Sequence, residues 1–118
     1  MKLKLAGEEG NLVKVSVSGP VTQRELAPQD EPLGELLGPS GYSRQVLLDL
    51  ADVTYLDSSG VGWLLTCHKR VKLAGGSLIV HSYSPIVSNV LRILKLERVL
   101  RLAENAKTAE QTARGVTA

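Results

Sequence analysis

The chain has 118 residues, 43% of them hydrophobic and none of them phenylalanine, enough for one domain with a core of leucine, valine and isoleucine. Fourteen Lys and Arg against twelve Asp and Glu leave a formal charge of +2, too little for a nucleic-acid surface without a local basic cluster. The single cysteine, Cys67, excludes an internal disulfide and a paired-thiol metal site.

No apolar run reaches the length of a membrane span and the first residues lack a signal-peptide core, so a cytoplasmic location without membrane contact is expected.

Met1 to Leu5 and Asn11 to Gly19 each alternate apolar and polar residues, with Glu8-Glu9-Gly10-Asn11 as a turn between them. This predicts an N-terminal β-hairpin with Val13, Val15 and Val17 on one face, ended by Gly19-Pro20. Pro28, Pro32 and Pro39 then interrupt any long helix. A short helix is expected over Glu31 to Leu37, with Pro32 in its first turn and an irregular loop before it.

Arg44 to Leu50 carries Val46, Leu47, Leu48 and Leu50 almost continuously, as in a central strand covered on both faces. A helix from Ser58 to Leu73 follows, closed by Ala74-Gly75-Gly76, and then a strand, Ser77 to His81. Strand, crossover helix and strand demand a parallel pair, so the fold class is α/β. Lys69, Arg70 and Lys72 form the one local basic excess, at the end of that helix, where cations complement its dipole.

Ser82-Tyr83-Ser84-Pro85 opens a further helix, with Ile86, Val87, Val90, Leu91 and Leu94 at helical spacing up to Lys95. Leu96 to Leu102 suits a short edge strand. Glu104 to Arg114 reads as a marginal helix with a weak stripe of Ala103, Ala106, Ala109 and Ala113, and Gly115 to Ala118 as a disordered tail. A single domain over residues 1–118 is expected, a mixed sheet of four to five strands with helices mostly on one side.

The stretch that concentrates chemistry is Asp57-Ser58-Ser59-Gly60-Val61-Gly62-Trp63, at a strand-to-helix junction. Asp57, Ser58 and Ser59 are each competent to cap a helix. One cap suffices, so the cluster reads either as plain capping or as a docking site that a phosphate on Ser58 would switch. Helical phasing from Val61, Leu64, Leu65 and His68 sets Trp63 nearer the opposite side, either as an exposed interface anchor or packed against the Ser82 to Lys95 helix. Cys67 is expected to be a buried small residue.

Enzyme readings lack a base. His68 lies far along the same helix, about 15 Å by rise alone; His81 ends the neighbouring strand and is the better candidate, but no GxSxG elbow surrounds Ser58. Asp49 lies within its strand, expected to meet solvent or a nearby Lys or Arg, and forms no metal set with Asp57. Gly60 and Gly62 do not complete a phosphate-binding loop. No catalytic residue, cofactor or metal is expected. A nucleotide or small-molecule sensor acting through the same helix start remains the second reading.

Taken together, Val46-Leu47-Leu48-Asp49-Leu50, then Val53-Thr54-Tyr55-Leu56-Asp57-Ser58-Ser59-Gly60-Val61-Gly62, then Ala74-Gly75-Gly76-Ser77-Leu78-Ile79-Val80 and Ser84-Pro85 resemble the STAS domain of bacterial anti-sigma factor antagonists. The resemblance covers residues 11 to 103. It implies a non-enzymatic, phosphorylation-switched binding protein that regulates sigma-factor-dependent transcription. Its partner would be an anti-sigma factor with serine kinase activity, bound while Ser58 is unphosphorylated. A serine phosphatase of the metal-dependent class would reset it.

The implied partner-binding surface comprises Thr22, Asp57, Ser58, Ser59, Gly60, Val61, Gly62 and Trp63, with Gly60 and Gly62 allowing close backbone approach. Gly19-Pro20-Val21-Thr22 replaces the family's more acidic turn, with Thr22 where an aspartate is common. The prolines from Pro28 to Pro39 fall where the family has a regular first helix. A monomer is expected, with the last helix as the surface through which a weak dimer would form.

Overall fold

In the computed structural model, residues 1–22, 32–38 and 41–114 are described. The elements are β1 (Lys2–Glu9), β2 (Leu12–Val21), α1 (Pro32–Leu37), β3 (Gln45–Leu56), α2 (Ser58–Leu73), β4 (Ser77–His81), α3 (Pro85–Ile93), β5 (Arg101–Ala103) and α4 (Ala106–Ala113). The expected irregular loop before α1, Pro28, Pro39 and the tail Gly115 to Ala118 lie outside the described residues.

The five strands form one mixed sheet in the order β1-β2-β3-β4-β5. β1 and β2 are the antiparallel hairpin; β2, β3, β4 and β5 run parallel. Strand alternation divides the core in two. Val13, Val15, Val17, Val46, Leu48, Leu50, Leu78 and Val80 point to the face covered by residues of α1, α2 and α3. Leu12, Leu47, Ile79 and Ala103 point to the opposite face, where Ala109 and Ala113 of α4 close over them. The expected α/β sheet with most helices on one side is therefore the observed architecture.

Several boundaries move. β2 runs through Gly19-Pro20 instead of ending there, because Gly19 adopts φ +80 and the pairing with β3 shifts register between Gly19 and Pro20, which accommodates a residue without an N–H. β3 continues past Leu50 to Leu56, but beyond Asp49 only β2 pairs with it. Leu96 to Leu102 is not one strand: a single 3-10 turn, Leu96–Arg98, precedes the three-residue β5.

The last helix is also firmer than its alanines suggest. Asn105 caps it, accepting from the Thr108 amide at 2.8 Å, and Ala109 and Ala113 are buried. Small side chains here let the helix lie close to the sheet. Arg114 adds ion pairs to Glu9 at 2.6 Å and Glu110 at 2.9 Å, at the surface where solvent screens them. Of the expected alanine stripe, Ala103, Ala109 and Ala113 are buried within the chain and Ala106 is exposed.

Candidate functional site

The site is built where the extended end of β3 turns into α2. Asp57 has extended φ −97 and ψ −174 and is the N-cap of α2; its Oδ1 accepts from the Gly60 amide at 2.9 Å. Its own amide donates to the Val21 carbonyl at 3.3 Å, which ties the start of α2 to the end of β2. Of the three competent caps the backbone uses Asp57. Ser58 therefore stands in the first turn, exposed, and Ser59 is half-buried beside it.

Gly60 is buried because α2 crosses close over β2. A Cβ at this position would strike the Val21 carbonyl oxygen and the Leu56 Cδ1 atom, whereas one at Gly62 would meet open space. Close packing within the chain is thus required at Gly60, whereas Gly62 is exposed and open. Thr22 follows Val21 directly and is half-buried, so β2 carries it to the same junction as Asp57.

Of the two placements expected for Trp63, exposed anchor or packed side chain, the buried one is observed. Trp63 is 6% exposed and belongs to the main core with Leu64, Cys67 and Val71. At about 100° per residue the buried stripe of α2 centres on Gly60, Leu64, Cys67 and Val71, and Trp63 lies on its flank. The face phased on Val61, Leu64, Leu65 and His68 keeps Leu64 but is centred too far round the helix. Val61 is itself 7% exposed, so the accessible members of the expected surface reduce to Thr22, Asp57, Ser58, Ser59 and Gly62.

The aromatic side chain that reaches solvent here is Tyr55, 53% exposed and paired with the exposed Pro20. Val53 and Leu56 are the buried positions around it. That spacing is the available signal, masked by the loss of the continuous apolar run after Leu50.

His81 does not reach Ser58. It pairs with Asp49, and the strand from Asp49 to Leu56 spans about 23 Å at the usual rise. His81 is 3% exposed, its Nδ1 lies 2.7 Å from the Ser82 hydroxyl, and burial pushes its pKa down while Asp49 partly opposes the shift. Of the two surroundings expected for Asp49, solvent or a Lys or Arg, no ion pair forms among the described residues; the side chain is half-buried and its Oδ1 accepts from the Ala51 amide at 2.8 Å. Cys67 is buried, as expected. Among the described residues no helix is long and apolar enough to cross a membrane, and no group of His, Cys, Asp and Glu could hold a metal ion.

The pattern that defines the STAS domain matches residues 5–109. The chain belongs to the STAS domain family. STAS domains are non-catalytic regulatory modules.

Solved structures share the fold. An anti-sigma factor antagonist from Mycobacterium paratuberculosis is similar with TM-score 0.76 and 21% identity, over 96% of this STAS domain and 95% of that chain. The anti-sigma factor antagonist SpoIIAA in its unphosphorylated form gives TM-score 0.68 and 18% identity, over 99% and 98%. The Bacillus cell-fate determinant SpoIIAA in the phosphorylated form gives 0.64 and 16%, over 94% and 99%.

Proposed function

We propose that this STAS domain is an anti-sigma factor antagonist whose partner binding is switched by phosphorylation of Ser58. The observation that carries the reading is the division of labour at the start of α2. Asp57 caps the helix, leaving Ser58 exposed and unnecessary to the fold. SpoIIAA, a protein of the same fold, is known in both unphosphorylated and phosphorylated forms.

Unphosphorylated, the junction presents a small-residue surface of Ser58, Ser59 and Gly62 that an anti-sigma factor with serine kinase activity can cover closely. A phosphate adds about two negative charges beside the Asp57 carboxylate. The positive end of α2 tolerates that charge internally, so the domain stays folded while the partner meets a bulky, repelling group. Sequestering the anti-sigma factor would release its sigma factor, and a serine phosphatase of the metal-dependent class would restore the binding form.

The test is partner binding by Ser58 variants. Ser58→Ala is expected to bind the cognate anti-sigma factor and to stay bound when ATP is added. Ser58→Asp is expected to bind at least tenfold more weakly with an unchanged melting temperature. Equal affinity of both variants for that partner would overturn the switch.

A further inference from the structure

The far end of α2 carries a second feature that the Ser58 junction does not use. Between the last turns of α2, the start of β4 and the start of β5 lies a cavity of about 320 Å³ bordered by His68, Lys72, Ser77, Leu78, Val99 and Arg101. His68, Lys72 and Val99 also border a wider apolar groove of about 650 Å³ that extends to Leu65, Lys69 and Leu73. His68 is ten residues along α2 from Ser58, about 15 Å by helical rise.

We propose that this cavity is a binding site for a small amphiphilic anion, with the carboxylate or phosphate head between Lys72 and Arg101 and the apolar part along Leu73 and Val99. Size, charge and polarity each support it. The volume falls within the range of small-molecule sites, about 300–1,000 Å³. Lys69, Lys72 and Arg101 form no ion pair among the described residues, so their charge is available to an anion.

The walls also hold two shielded polar atoms without a hydrogen-bond partner among the described residues, His68 Nδ1 and Ser77 Oγ. Buried polar atoms are nearly always partnered, so the wall of this cavity carries unmet hydrogen-bonding capacity. Burial and the charge of Lys72 push the His68 pKa down, as expected where positive potential is uncompensated. At the mouth, Leu73 is 78% exposed and Val99 51%, an apolar rim that suits a tail.

The deciding experiment titrates the whole chain with octyl phosphate, octanoate, octanol and octylammonium below their aggregation concentrations, read by amide chemical shifts. Octyl phosphate or octanoate, or both, is expected to give saturable shifts centred on residues 68–73, 76–78 and 99–101, and the stronger of the two identifies the preferred head. Octanol and octylammonium are expected to bind at least tenfold more weakly.

The double variant Lys72→Ala/Arg101→Ala, at two exposed positions, is expected to weaken the anion at least tenfold with an unchanged melting temperature, and Lys4→Ala to change nothing. Binding of octanol as tight as either anion, anion shifts centred elsewhere, no saturable shifts with either anion, or an unaltered affinity in the double variant would overturn the site. None of these readouts depends on phosphorylation of Ser58.

Discussion

At the scale of single residues, the junction separates groups that build it from groups that it displays. Gly60 builds: the space a Cβ would need is taken by the Val21 carbonyl and the Leu56 side chain. Gly60→Ala is expected to destabilise the domain by about 1–3 kcal/mol through overpacking. Gly62→Ala, on an open helical position, is expected to leave stability unchanged or raise it by about 0.5–1 kcal/mol. Urea denaturation of the two variants side by side checks the contrast, and equal losses would place Gly62 against something as firm as β2.

The histidines give the residue scale a second, pH-dependent test. His81 and His68 both have folded-state pKa values below the ordinary 6.5, chiefly through burial. A depressed pKa means that the unfolded chain binds the proton more readily. The stability from keeping these rings neutral is therefore present above about pH 6.5 and is lost as the pH falls towards their folded values. Thermal melts at pH 7.5 and 5.5 are expected to show a lower melting temperature at the acid value. Carboxylates titrate mainly below this window, so His68→Asn/His81→Asn is expected to flatten the difference; an undiminished difference would assign it to other groups.

At the scale of elements, α4 shows how a weak sequence signal can conceal a tight contact. Its helix is anchored by two alanines, Ala109 and Ala113, against Leu12, Leu47 and Ile79, where any larger side chain would force helix and sheet apart. Ala109→Leu is expected to cost about 1–3 kcal/mol by overpacking, and Ala106→Leu, on the exposed side, close to nothing. Chemical denaturation separates the two.

The same scale explains what the sequence could reveal. α2 was legible to its ends because polar caps, an apolar stripe and Ala74-Gly75-Gly76 all agree, with Gly75 at φ +87 closing the helix. The later half of β3 was not, because Ala51, Asp52 and Thr54 are exposed and pairing to β2 alone holds them. Phase leaves Trp63 open between exposed and packed: Leu65 suggests one side of the helix, while Gly60 and Cys67, weakly apolar by composition, mark where the helix meets the sheet. In α3 only Val87 and Leu91 are buried, while Ile86 and Leu94, read as part of the same face, are 55% and 53% exposed. Hydrophobic spacing identifies a helix more reliably than it identifies which apolar residues its neighbours will cover.

At the scale of the whole molecule, one sheet holds two distinct surfaces apart. The Ser58 junction lies at the end of β3 where β2 alone accompanies it, and the basic cavity lies at the starts of β4 and β5. α2 joins them as a helix of 16 residues. Both faces of the sheet are covered, so a charge added at Ser58 has no core to disturb and acts on what approaches from outside. A phosphate of about two negative charges brings the formal charge from +2 to about zero, concentrated beside Asp57. The switch is thus expected to work through surface electrostatics and shape, with the fold held constant.

The most direct measurement incubates the protein with its candidate anti-sigma kinase and ATP and maps the modified residue by mass spectrometry. The account requires a single phosphate on Ser58 and release of the kinase from the modified protein. A phosphate on Ser59, Thr22 or any other residue, or a Ser58-phosphorylated protein that still binds the kinase undiminished, would contradict it.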